Sequence, residues 1–194
     1  MRIKQIAALT LFLAIPTACS DPLGPVDSQT ISLTINSINS SDIDPAGLIE
    51  KDENISHETG NPWGEFIVSA QSVCGGDPVG FRVLGASVAL DLEGSSGVVD
   101  FDDVVAGQAS IHFLSTQGSD SSATRVVVAS SSSVSGPGPV DLPVTATQGQ
   151  LDSIFERLVG GDFHVGFRAE TDRLESESFS MDVTVAFQAR AICR

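Results

Sequence analysis

The strongest constraint in the chain is a strict two-residue period near its end. Phe163, Val165, Phe167 and Ala169 alternate with His164, Gly166, Arg168 and Glu170. After the charged segment TDRLESES, Phe179, Met181, Val183, Val185, Phe187 and Ala189 alternate with Ser180, Asp182, Thr184, Ala186 and Gln188. Successive side chains of a strand point to opposite faces, so each run reads as a strand with one face turned to a core. Two such strands joined by a short polar loop predict a hairpin at the centre of the domain, with Cys193 ending its second strand.

The same period recurs upstream. Ile31, Leu33 and Ile35 alternate with Ser32, Thr34 and Asn36, and Ala109, Ile111 and Phe113 alternate with polar Ser110 and His112. Residues 64–73 read as a strand through Phe66, Val68 and Ala70, with Trp63 entering it as a core or rim filler. Between Val79 and Leu92 the apolar phase changes at Gly85, the mark of a bulge or of a strand passing between sheets. Val98, Val99 and Phe101 suggest a short edge segment among Asp100, Asp102 and Asp103. The run Val126-Val127-Val128 suits a strand covered on both faces, and Pro143 puts the 140–147 segment at an edge.

One helix is expected, over 150–159. Leu151, Ile154, Phe155, Leu158 and Val159 share a face, Thr147 and Gln150 form a capping box, and Gly160-Gly161 supplies the stop. About eight strands with one short α-helix predict an all-β fold, an antiparallel β-sandwich, with an up-and-down β-barrel as the alternative.

Residues 38–62 show no periodicity and read as a long polar insertion. Its segment 42–53, DIDPAGLIEKDE, resembles a calcium loop of the EF-hand kind. Acids stand at its first and third positions, glycine at the sixth and glutamate at the twelfth, while Ala46 occupies a position where the pattern has an oxygen ligand. The resemblance implies calcium as a cofactor, held by Asp42, Asp44 and Glu53.

The N-terminus carries an address. Arg2 and Lys4 precede an apolar run from Ile6 to Ile15, and Thr17-Ala18-Cys19 follows as a small-residue stop ending in cysteine. This resembles a bacterial lipoprotein signal, with Pro16 where that pattern has an aliphatic residue. The resemblance implies that residues 1–18 are a signal peptide and that Cys19 becomes the acylated first residue, with the lipid bilayer as partner. Ser20, in place of the aspartate that retains many such proteins at the inner membrane, implies the outer membrane of the cell envelope. Residues 19–28 are then the lipidated cysteine and a tether, Ser20 to Ser28 with Pro22 and Pro25, that reaches only about 28 Å when extended, and 29–194 form one domain. Acylation of Cys19 leaves Cys74 and Cys193 as an even pair in an oxidising compartment, where a disulfide is expected.

Charge and motifs exclude other classes. The net charge of -15 argues against nucleic acid and against electrostatic docking on anionic lipid, both of which need clustered cations. No G-x-S-x-G elbow, H-E-x-x-H helix or P-loop occurs, and the three histidines lie far apart. The expectation is therefore a non-catalytic envelope lipoprotein whose sandwich meets an envelope protein or glycan. A carrier of an apolar ligand and a calcium-dependent adhesion module are the alternatives.

Overall fold

A computed structural model of the chain describes residues 24–55, 61–115, 123–174 and 176–194. Within them the elements are β1 (Val26–Asp27), β2 (Ile31–Asn39), β3 (Leu48–Ile55), α1 (Pro62–Cys74), β4 (Gly80–Ser96) and β5 (Ala109–Leu114). They continue with β6 (Arg125–Ser131), β7 (Val140–Leu142), α2 (Gln148–Asp152), α3 (Phe155–Gly160), β8 (Phe163–Glu170) and β9 (Ser180–Ile192). The strands form two antiparallel sheets. The first has five strands in the order β1-β9-β4-β7, with β2 also paired to β9; the second runs β3-β8-β5-β6. The all-β sandwich expected from the alternation is the fold observed. Along one side the sheets are stitched together, since Ser130 N donates to Pro143 O and Thr145 N to Val128 O, both at 3.0 Å.

The two strongly alternating strands do not form a hairpin. β9 pairs with β1, β2 and β4 in the first sheet, whereas β8 lies between β3 and β5 in the second. Their apolar rows face each other across the sandwich instead of sharing one face. Each strand is central in its sheet, which is why each row is buried along its length. The connection 171–179 is thus a crossover between sheets. Of the two outcomes expected at Gly85, β4 shows the bulge and not the passage between sheets. It carries the bulge, between Val83 and Gly85, yet stays against β9 on both sides of it.

Residues 64–73 are helical, not extended. Trp63, Phe66, Ile67 and Ala70 fall on one helical face and are buried, while Val68, which a strand would have turned inward with Phe66, is 66% exposed. The termini enforce this choice. Pro62 occupies the first turn, the Asn61 side chain accepts from Trp63 N at 2.9 Å, and Gly75 caps the far end in the left-handed conformation. The three-residue spacing of Trp63 and Phe66 was hidden by the coincidental alternation of Phe66, Val68 and Ala70.

The supposed 38–62 insertion contains the edge strand β3. Only Ile49 and Ile55 among its residues are fully buried, so its period is masked by Lys51 and Glu53 at the remaining inward positions. Lys51 is tolerated there because its Nζ reaches Ser37 O at 2.7 Å at the open side of the sandwich. The expected single helix over 150–159 is divided into α2 and α3, which brings the α-helices among the described residues to three. The capping box of Thr147 and Gln150 is present, and Leu151, Ile154 and Leu158 remain buried across the break. Val98, Val99 and Phe101 lead into a 3-10 turn at Phe101–Asp103 rather than a strand, with Phe101 buried. β6 is an edge strand. Val126 and Val128 are buried and Val127 is 37% exposed by ordinary alternation, and the bulge opposite Ile111 and His112 brings Ala129 inward as well.

The core is densest at one end, where Trp63 meets Phe163 at 5.1 Å and Phe81 at 5.6 Å between ring centroids, and Phe113 meets both Phe163 and Phe187 at 5.1 Å. Trp63 Nε1 donates to Leu158 O at 2.9 Å, so the polar edge of the ring is satisfied inside the apolar cluster. At that end the expected disulfide joins Cys74, the last residue of α1, to Cys193 just after β9, with Cα atoms 5.1 Å apart. The chain enters there too. β1 pairs Val26 with Ala191, and Arg190 grips Asp27 through two bonds of 2.5 and 2.7 Å, so residues 26–28 belong to the domain rather than to a tether.

The bond spans 119 residues, which in the chain-entropy view constrains the unfolded chain strongly. Replacing Cys74 by serine is expected to lower unfolding free energy by about 2–5 kcal/mol, read from urea denaturation of the oxidised protein and the variant. A reductant should shift the wild type to the variant's midpoint and leave the variant unmoved.

Candidate functional site

The outward face of the second sheet collects charged groups from four strands. Register decides which ones meet. Glu50 of β3 stands opposite Arg168 of β8, which stands opposite Ser110 of β5; two residues along, Asp52, Gly166 and His112 form the next row. The row after that is Asn54, His164 and Leu114, with Arg125 of β6 opposite Leu114.

Glu50 is the hub of this face. Its carboxylate receives Arg125 Nη2 through a hydrogen bond, lies 3.7 Å from Arg168 Nε and 3.9 Å from His112 Nε2. Arg125, Arg168 and Glu50 are all about one-third exposed or less, so their charges act in a partly desolvated layer. Beside them His164 Nδ1 lies 2.7 Å from Asp52 Oδ2. Beyond Arg168 is a surface depression of about 300 Å³, walled by Leu48, Gln108, Ser110, Arg125, Arg168 and Glu170.

His112 occupies an unusual place. Alternation assigned it to the less apolar face of its strand, and it does point outward, yet it is fully buried beneath the charged layer. Its ring lies over Gly166, where a Cβ would come within 2.2 Å of Nε2; glycine is required there by the imidazole. Neither ring nitrogen has a hydrogen-bond partner among the described residues. Burial, followed by the positive charges of Arg125 and Arg168, pushes its pKa down to about 3. The ring is therefore neutral at physiological pH, and its approach to Glu50 is not an ion pair.

The residues singled out from the sequence have separate fates. Cys19 lies outside the described residues. Cys74 and Cys193 are joined. Asp42 Oδ2 accepts from Asn39 N at 2.9 Å and meets Lys51 Nζ at 3.4 Å, while Asp44 Oδ1 accepts from Ala46 N at 2.8 Å and Leu48 N at 3.0 Å. Gly47 does make the sharp turn, with φ of 76°. The chain then extends as β3, and at about 3.3 Å per residue Glu53 is carried some 16 Å beyond Leu48. Segment 42–53 is a turn followed by a strand, and among the described residues no three His, Cys, Asp or Glu side chains gather as a metal site.

Comparison with known proteins adds little. No family model matches the chain, and no curated protein matches it. Among solved structures, that of cocksfoot mottle virus is similar at 10% identity and a TM-score of 0.32, covering 100% of this chain and 95% of that one. The cryo-EM structure of the giant freshwater prawn Macrobrachium rosenbergii nodavirus semi-empty VLP is similar at 12% identity and a TM-score of 0.33, covering 98% and 94%. At such values nothing about the role of this chain follows.

The Glu50, Arg125, Arg168 and His112 group was not predicted from sequence. Its members come from four strands, with Arg125 lying 75 residues from Glu50. The available signal was that Arg168 and His112 fall on outward positions of alternating strands.

Two outcomes are expected. Gly166→Ala places a methyl against the His112 ring and should destabilise by about 1–3 kcal/mol, an effect reduced when His112→Ala accompanies it; thermal or urea denaturation of the double-mutant cycle measures this. His112 titrates at about 3 when folded and near 6.5 when unfolded. Its neutral form is favoured by the fold, so its contribution is present above about pH 6.5 and is lost as pH falls toward 3, with a slope of up to about 1.4 kcal/mol per unit. His112→Leu should be less acid-sensitive than the wild type by that slope.

Proposed function

We propose that the protein is a lipid-anchored protein of the bacterial cell envelope, held through Cys19, whose β-sandwich is a non-catalytic binding module. The observation that carries the reading is the sequence Thr17-Ala18-Cys19 behind a basic start and a short apolar run. Two features support it. The disulfide Cys74–Cys193 suits an oxidising compartment, and it leaves Cys19 as the remaining cysteine. The Gly24 carbonyl lies 3.7 Å from Cys193 Sγ, so in this reading the disulfide end of the domain is the end nearer the anchor. Ser20 favours the outer membrane.

The binding surface in this reading is the outward face of the second sheet, with its depression beside Glu50 and Arg168. An apolar carrier is less well supported, because the space between the sheets at the aromatic end is taken by interlocking Trp63, Phe113, Phe163 and Phe187. Calcium-dependent adhesion is less well supported, because Asp42 and Asp44 each turn one carboxylate oxygen to backbone N–H groups and β3 carries Glu53 away from both.

Expression with a radiolabelled fatty acid is the direct test. The wild type is expected to take up label and sediment with membranes, and Cys19→Ser to do neither. A Cys19→Ser protein that stays membrane-bound with unchanged mass would end the anchor reading.

A further inference from the structure

We propose that the depression between Arg125 and Arg168 binds a small carboxylate, with Arg168 as its principal donor and Glu50 as the internal group that competes for it. The inference deepens the binding-module reading and is independent of the anchor.

The walls of the depression are rich in hydrogen-bond donors. The Arg168 guanidinium makes no hydrogen bond among the described residues; its Nε stands 3.7 Å from Glu50, outside hydrogen-bond range. The Ser110 hydroxyl and the Gln108 side-chain amide likewise make none among the described residues, while the acceptor Glu170 Oε2 is already occupied by Gln108 N at 3.2 Å. The Arg168 guanidinium, with the Ser110 hydroxyl and the Gln108 amide able to donate beside it, can receive an anion even with the carboxylate of Glu170 on the opposite part of the wall.

The protein itself indicates which anion. The carboxylate of Glu50 sits against both guanidinium groups and satisfies only that of Arg125. An arginine fork matches a carboxylate in two parallel bonds, and the fork of Arg168 is left without its match. Space for one is available, since about 300 Å³ is the lower end of ligand-site volumes and suits one sugar acid or one terminal amino acid. Leu48 and Val127 offer an apolar wall for its body.

The test is calorimetric titration of the purified full chain in detergent with three probes: galacturonate, N-acetylglycine and inorganic phosphate. Saturable binding of at least one carboxylate is expected, weakened about tenfold or more in Arg168→Gln and unchanged in Arg82→Gln, which alters net charge equally on the first sheet. Glu50→Gln is expected to tighten binding several-fold, because it removes the competitor and leaves both guanidinium groups in place. A structural role for the cluster would not produce that gain, and this arm decides the matter even where Arg168→Gln fails to fold. The two carboxylates distinguish a sugar acid from a peptide terminus. Absence of saturable carboxylate binding below about 10 mM, tighter binding of phosphate than of either carboxylate, or loss of affinity in Glu50→Gln would each overturn the proposal.

Discussion

Everything in this fold leans on the inward row of β9. Met181, Val183, Val185, Phe187, Ala189 and Ala191 are all buried, and the strand that carries them has partners on both edges, β4 on one and β1 with β2 on the other. A strand flanked on both sides satisfies its backbone groups within the sheet and can bury one entire face without orphan donors. The opposing row from β8 completes the inner layer, and α1 closes the end where the largest rings meet. The disulfide joins α1 to the end of β9, so the element that caps the core is covalently tied to the strand that organises it.

The second sheet shows the converse principle. Its inward face is apolar apart from Lys51 and Glu53 at the open side, but its outward face holds charges at short range in a partly desolvated layer. Glu50 is hydrogen-bonded to Arg125, stands 3.7 Å from Arg168 and lies over a histidine that burial keeps uncharged. Such an arrangement is a poor source of stability, because desolvation offsets much of the attraction. A buried neutral imidazole with unpartnered nitrogens adds a further penalty. Groups retained at that disadvantage are where a binding role is best sought, and in a chain of net charge -15 a paired-arginine face is also where an acidic ligand meets least repulsion.

The strands were legible where one face is continuously apolar. Ile31 to Ile35, Ala109 to Phe113 and the rows of β8 and β9 were readable because side-chain direction alternates whatever the neighbouring strand is. β3 was not, since Lys51 and Glu53 occupy inward positions near the open side and interrupt the signal. α1 was misread for a different reason: Phe66 and Ala70 satisfy the helical and the extended period equally, and only the neighbouring Trp63 and Ile67, with the caps at Asn61 and Gly75, separate them. Of the binding face, the outward position of Arg168 was visible, but its proximity to Glu50 and Arg125 was not.

By itself the sequence determined the fold class and the buried face of the strongly alternating strands, and the pairing of Cys74 with Cys193 was expected from it once Cys19 was set aside. The first two are local properties, set by the two-residue period. Only the tertiary structure decided that β8 and β9 belong to opposite sheets, that α1 is a helix, and that Glu50 faces Arg125 and Arg168. Strand partnership depends on long-range register, and register depends on how two sheets fill one core. No short stretch of sequence encodes that choice, because the same alternating strand can pair equally well with several others until the packing of the whole sandwich excludes all but one.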